Sequence, residues 1–192
     1  MRRRVVEWIV TLVVAVGAVL AVKAWVVNPY RIPSPSMEPT LHCARPEFGC
    51  EGDGSDHVLA NRFIYHFRDP KRGEIVVFKT PPAAEVQCNA GGTSSGGETF
   101  VKRLIALPGD RWSERDGYIY LNGKQLNEPY VKADRRDTET IPEHTVPPGQ
   151  YLMLGDNRAF SEDSRCWGVI HRSQIIGRAF AIYWPPTRIQ GL

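Results

Sequence analysis

An apolar run from Val5 to Val27, with Glu7 and Lys23 as its only charged members, follows Arg2, Arg3 and Arg4. It constrains the fold strongly, because so long a run is poorly suited to sharing one small water-soluble core with the rest of the chain. A helix needs about 20 residues to cross the hydrocarbon core of a bilayer. The stretch from Trp8 to Trp25 fits that span, and tryptophans favour the headgroup zone at both ends. Lys23 can carry its ammonium outward on its own stem. The positive-inside rule keeps the arginines cytoplasmic and sends Asn28 onward outside. A single-pass anchor in the cell membrane is therefore expected, with the folded part on the extracytoplasmic side. A cleaved secretory leader would show a small-x-small site after its apolar core; Lys23, Trp25 and Pro29 stand there instead.

The same three arginines account for the whole formal net charge of +3. The exported part has no basic excess with which to grip phosphates, which argues against nucleic acid as a partner. Beyond the anchor, strand signals dominate. Strands are expected over Asp56–His66, Ile75–Lys79, Phe100–Leu107, Tyr118–Leu121, Tyr151–Leu154 and Ile175–Trp184. Asn122-Gly123 marks a type I′ hairpin turn. The fold class is mostly β, with an N-terminal transmembrane helix and a small inserted β lobe. The expected division is 1–28 for the arginine cluster and anchor, 29–110 for the first part of the core, 111–147 for the lobe and 148–192 for the second part. Loops are expected at 43–56 and 81–98, the latter rich in glycine and serine.

An exported domain can oxidise its cysteines. Cys43, Cys50, Cys88 and Cys166 allow three connectivities, and a short Cys43–Cys50 loop belongs to one of them. His42, Cys43, Cys50 and His57 are an alternative zinc set, but their spacing matches no compact finger.

The chemistry-bearing segment is Ile32-Pro33-Ser34-Pro35-Ser36-Met37-Glu38-Pro39-Thr40. Prolines can hold one serine forward as a nucleophile and a second beside it as a donor. A serine nucleophile needs a base. No histidine (42, 57, 66, 144 or 171) sits in a segment dense with other reactive groups, although a triad partner can lie far off in sequence; lysine is the other candidate base. In Phe100-Val101-Lys102-Arg103-Leu104-Ile105, strand alternation points Lys102 with Phe100 and Leu104. Apolar neighbours strip hydration from an ammonium and lower its pKa. A lysine brought near neutrality bears about 4 kcal/mol of penalty on its charged form. A surface lysine with its head in water is the plainer alternative. The third segment, Gly155 to Arg165, is dense in turn formers and short polar side chains that can fix a hydrogen-bond network.

Taken together and in this order, these segments, with Gly73–Lys79 and the continuation to Trp167-Gly168, resemble the type I signal peptidase family of Ser/Lys-dyad bacterial leader peptidases. The resemblance covers the anchor and most of the exported part. It implies a membrane-anchored serine endopeptidase that removes signal peptides from secretory preproteins after small residues. It implies Ser36 as nucleophile, Lys102 as general base, and an oxyanion hole from the Ser36 N–H and the Ser34 hydroxyl. Ser161 would hydrogen-bond the Lys102 amine, Asp163 and Arg165 would brace the loop, and Asp156 and Arg103 would be structural nearby. Tyr30, Ile32, Pro33, Val77, Phe100 and Val101 would form the pocket for small side chains. No cofactor or metal is expected; the partners are preproteins and the bilayer. Pro35 stands where glycine is frequent in the family, Phe100 where an aromatic hydroxyl is common, and the cysteine-bearing loop after Thr40 looks like an insertion. A specialised pilin or conjugation-type peptidase is an alternative, as is a non-catalytic, membrane-tethered β domain that binds peptides.

Overall fold

The structure, a computed structural model, describes residues 2–25, 27–82 and 96–192, with the backbone alone for residues 2 and 20–25. The first element is a helix, α1 (Arg2–Trp25), whose side chains from Arg3 to Val19 are exposed. Among the described residues no helix is long and apolar enough to cross a membrane. Arg2, Arg3, Arg4 and Glu7 fall in the first turns of α1, and the expected apolar run continues over residues 20–26, whose side chains lie outside the description.

The rest is mostly β, as the alternation and turn chemistry suggest. The larger sheet contains β1 (Val27–Arg31), β2 (His57–Asn61), β3 (Ile75–Lys79), β4 (Thr99–Ala106), β9 (Gln150–Leu154), β10 (Ile170–His171), β11 (Ile175–Trp184) and β12 (Gln190–Gly191). Among the described residues its order is β1-β2-β11-β3-β4-β9-β10, with β12 on β11, and the pairs are antiparallel. A second sheet has the order β7-β6-β5-β8, from β5 (Arg111–Arg115), β6 (Tyr118–Leu121), β7 (Lys124–Gln125) and β8 (Ile141–Thr145). Asn122 and Gly123 both take positive φ, +50° and +81°, as a type I′ turn requires.

The unbroken apolar run of β3 reads as a strand covered on both faces, and it is. Val77 packs with Ile32, Met37, Val58 and Ile182. Val76 and Phe78 point the other way, toward Leu104, Met153 and Trp167. Each such fully buried aliphatic or aromatic side chain contributes about 1.5–3 kcal/mol relative to exposure. A third cluster joins Trp112, Ile119 and Leu121 of the second sheet to Ile105, Leu152 and Leu154 of the first.

The strand expected over Asp56–His66 is shorter, ending at Asn61. There the Asn61 side-chain oxygen accepts the amides of Phe63 (2.9 Å) and Ile64 (3.0 Å) and turns the chain into a 3-10 helix, Ile64–His66. Cys43 is bonded to Cys50, with Cα atoms 5.1 Å apart, which rules out the zinc set containing both thiols. Cys166 is also disulfide-bonded; Cys88 and most of the expected 81–98 loop lie outside the described residues.

Candidate active site

Ser36 lies in a 3-10 turn, Pro35–Met37, entered from Ser34 in extended conformation (φ −127°, ψ 157°). Proline fits the start of such a turn, because its φ is already set and its missing N–H is not needed. The turn is closed by the Glu38 N–H donating to the Pro35 carbonyl at 3.0 Å. Ile32 and Met37, 3% and 1% exposed, anchor its two sides in the core. Ser36 is thereby held nearly buried, with its Oγ 3.2 Å from the Ser34 Oγ.

Lys102 comes from β4, opposite Val76 of β3. It is 3% exposed, so the surface-lysine alternative is excluded. Its Nζ lies 5.5 Å from the centre of the Phe100 ring, the same-face neighbour expected from alternation. Burial pushes its amine down to about 8; Asp163, Glu162 and Asp156 pull it back upward, while Arg165 acts in the same sense as burial. Those carboxylates explain why the shift is smaller than the one expected from an apolar setting alone.

Ser36 and Lys102 line the same two cavities. One, about 360 Å³, also takes in Tyr30, Ile32, Pro33, Phe100 and Val101. Val77 does not line it and lies beneath, in the core with Ile32. The other, about 280 Å³, extends to Phe160 and Glu162. Among the described residues no histidine lines either cavity.

The loop from Gly155 to Arg165 is tied to both segments. Arg103 donates twice to Asp156, at 2.8 and 2.6 Å, and the Thr40 hydroxyl donates to the same carboxylate at 2.5 Å. Strand, serine segment and loop thus converge on one buried charge. Asp163 accepts the Gly155 N–H at 3.0 Å and caps a short helix, α2 (Ser164–Trp167). Burial acts to raise its pKa; Arg165, Lys102 and the Gly155 N–H outweigh that and hold it below the usual carboxylate range. Arg165 also donates to the carbonyls of Arg158 (2.8 Å) and Ser161 (3.4 Å). The hydrogen bond expected from Ser161 to Lys102 is not made: the Ser161 hydroxyl is buried without a partner. It faces Gly155, where a Cβ would stand 2.2 Å from that oxygen and 2.4 Å from the Ser36 carbonyl oxygen. Only glycine lets the loop approach so closely.

Asn157 was not singled out from sequence. Its N–H donates to the Ser36 carbonyl (3.1 Å) and its side-chain amide to the Pro35 carbonyl (3.0 Å), fixing the turn from below. An asparagine in a turn-rich segment is the available signal. Glu38, His42 and Glu51 bring potential ligand atoms within 4.8 Å of one another. The Glu38 carboxylate is already engaged by the amides of Cys43 and Glu51, both at 3.0 Å, and by the His42 ring. That arrangement is a hydrogen-bonded brace for the disulfide loop.

Residues 5–184 match the family model described as signal peptidase, peptidase S26. A probable signal peptidase I-2 of Synechocystis sp. is 37% identical over 93% of this chain and 73% of its own length. A signal peptidase I of Leptolyngbya laminosa is 36% identical over 95% of this chain and 81% of its own. A signal peptidase I structure from Enterococcus faecalis V583 is 31% identical, covers 58% of this chain and 97% of that one, and has a TM-score of 0.45.

Proposed function

The chain belongs to the signal peptidase family, peptidase S26, and on that premise we propose that it is a serine endopeptidase which removes signal peptides from exported preproteins through Ser36 and Lys102. The observation that carries this reading is a buried lysine with a lowered pKa in the same cavity as a serine held in a proline-stiffened turn.

Substrate binds as an extended strand. β9 pairs with β4 only from Arg103 onward, so among the described residues no strand covers the Thr99–Lys102 edge beside the first cavity. Tyr30, Ile32 and Val101 leave room there for small side chains before the cleaved bond. The neutral Lys102 amine takes the Ser36 hydroxyl proton as Oγ bonds to the carbonyl carbon. The carbonyl oxygen becomes an oxyanion, met by the Ser36 N–H and by the Ser34 hydroxyl, which turns from Ser36 Oγ toward it. The C–N bond then breaks, and the Lys102 ammonium returns its proton to the leaving amine. Water, deprotonated by the same amine, attacks the ester. Its second proton transfer restores the Ser36 hydroxyl and frees the signal peptide.

The apolar run through α1 acts as the anchor in this reading. Sharing a bilayer with the precursor's own apolar segment raises the effective concentration of the cleavage site. Asn28 onward then faces the extracytoplasmic side.

Two measurements test the reading. Ser36→Ala should abolish cleavage of a detergent-solubilised precursor bearing an Ala-x-Ala site, with the fold retained; continued cleavage refutes the nucleophile, and a protein that binds but never cuts is the non-catalytic β domain. In the wild type kcat/KM should rise with pH and level off above about 8, because only the unprotonated amine is active. A profile flat from pH 6 to 10 contradicts a lysine base.

A further inference from the structure

Two cavities meet at Ser36 and diverge from it. One runs toward Tyr30 and Ile32, the other toward Phe160 and Glu162, and Ser34, Glu98, Phe100 and Lys102 belong to both. On the proposed function, the acyl side of the substrate fills the first. The part that leaves must then run through the second.

The outer wall of that second cavity is unusual. Phe160, 42% exposed, meets Phe48, 78% exposed, edge to face with ring centres 5.3 Å apart. Neither ring adds much to the core, and exposed aromatic pairs of this kind are what interfaces use. Phe48 is carried by the loop that the Cys43–Cys50 bond closes. The loop packs closely on the nucleophile turn, since a Cβ at Gly49 would stand 3.1 Å from the Pro35 Cβ. Just after the bridge, Glu51 is held by Lys132 at 3.2 Å and Arg135 at 2.8 Å. The loop is thus held against the nucleophile turn, with its aromatic ring exposed and packed on Phe160 at the wall of the second cavity.

We propose that Phe48, Phe160 and Glu162 form the subsite for the first residues beyond the cleaved bond, the two rings packing on their stems and Glu162 favouring a basic side chain. The cross-linked loop is then a substrate-positioning element. Its contribution is confined to acylation, because the leaving segment has gone before water attacks the ester.

The test uses three precursors identical through the cleaved bond, with Lys, Ala or Glu at the first two positions after it, and a short ester with the same acyl part and no peptide beyond. Wild-type kcat/KM should rank Lys above Ala above Glu, with about tenfold between the extremes. Glu162→Gln should shrink that spread to under about twofold. Because the spread is a ratio at one pH, any change in Lys102 titration cancels. Phe48→Ala, at an exposed position, should raise KM several-fold for the peptides and leave ester hydrolysis unchanged. Equal rates for Lys and Glu precursors, a spread unaltered in Glu162→Gln, or equal loss on ester and peptide in Phe48→Ala would each overturn the subsite. These outcomes differ from failure of the peptidase reading itself, in which Ser36→Ala still cleaves.

Discussion

Replacing Lys102 with methionine lowers precursor cleavage by at least about a thousandfold, while the fold becomes no less stable at neutral pH. On the proposed mechanism the loss follows from removal of the amine that takes the Ser36 proton, which the carboxylates Glu98 and Glu162 in the same cavities are too weakly basic to replace. Lys102→Arg should be equally inactive, since a guanidinium does not give up its proton near neutrality. The stability change has the opposite sign from most core substitutions. A buried amine whose pKa falls from 10.5 to about 8 disfavours the folded state below pH 8. That cost is relieved as pH rises toward the unfolded value. At pH 7 it is on the order of 3 kcal/mol, and methionine fills similar space without a charge. Denaturant unfolding at pH 7 and pH 10 should therefore show Lys102→Met gaining most over the wild type at the lower pH. A variant that is inactive because it is unfolded would show the reverse.

Glu128→Ala should cost about 3–5 kcal/mol of stability, read as a shift in denaturation midpoint at unchanged slope. The Glu128 and Arg158 side chains are both fully buried and paired. Arg158 also donates from Nε to the Gly155 carbonyl at 2.9 Å, and Glu128 meets Arg136 at 3.2 Å. Removing the carboxylate strands a guanidinium in the interior, where it cannot shed its proton. The double replacement Glu128→Leu with Arg158→Met should recover most of the loss, because an apolar pair of similar volume avoids both desolvation costs. Activity should stay low in the double variant, since Arg158 positions the Gly155 carbonyl under the reacting loop.

Much of this architecture was legible before any coordinates. Ile175–Trp184 and Asn122-Gly123 declared themselves through alternation and turn chemistry, and the all-apolar face of β3 through its unbroken run. Local pattern could not give what tertiary partners decide. Asn61 ends its strand with a side-chain cap that hydropathy does not encode. The edge strands β8 and β10 carry too little apolar repeat to stand out. At the site, Lys102 follows from its neighbours, whereas Asn157 and Gly155 matter through contacts with Ser36, more than a hundred residues away in the chain. Ser161 shows the converse: its place in the loop was expected, and its hydroxyl bonds nothing. Phe48 does not stand out in the sequence, because an exposed ring on a cross-linked loop has no periodicity to betray it.

Nuclear magnetic resonance of the Lys102 side chain, labelled at Cε and Nζ in a Ser36→Ala background, tests the base most directly. A titration midpoint near 8, absent from the spectrum of Lys102→Met, is the predicted result. A midpoint at the ordinary lysine value of about 10.4 would leave the amine charged at every pH where the enzyme works, and would contradict the account.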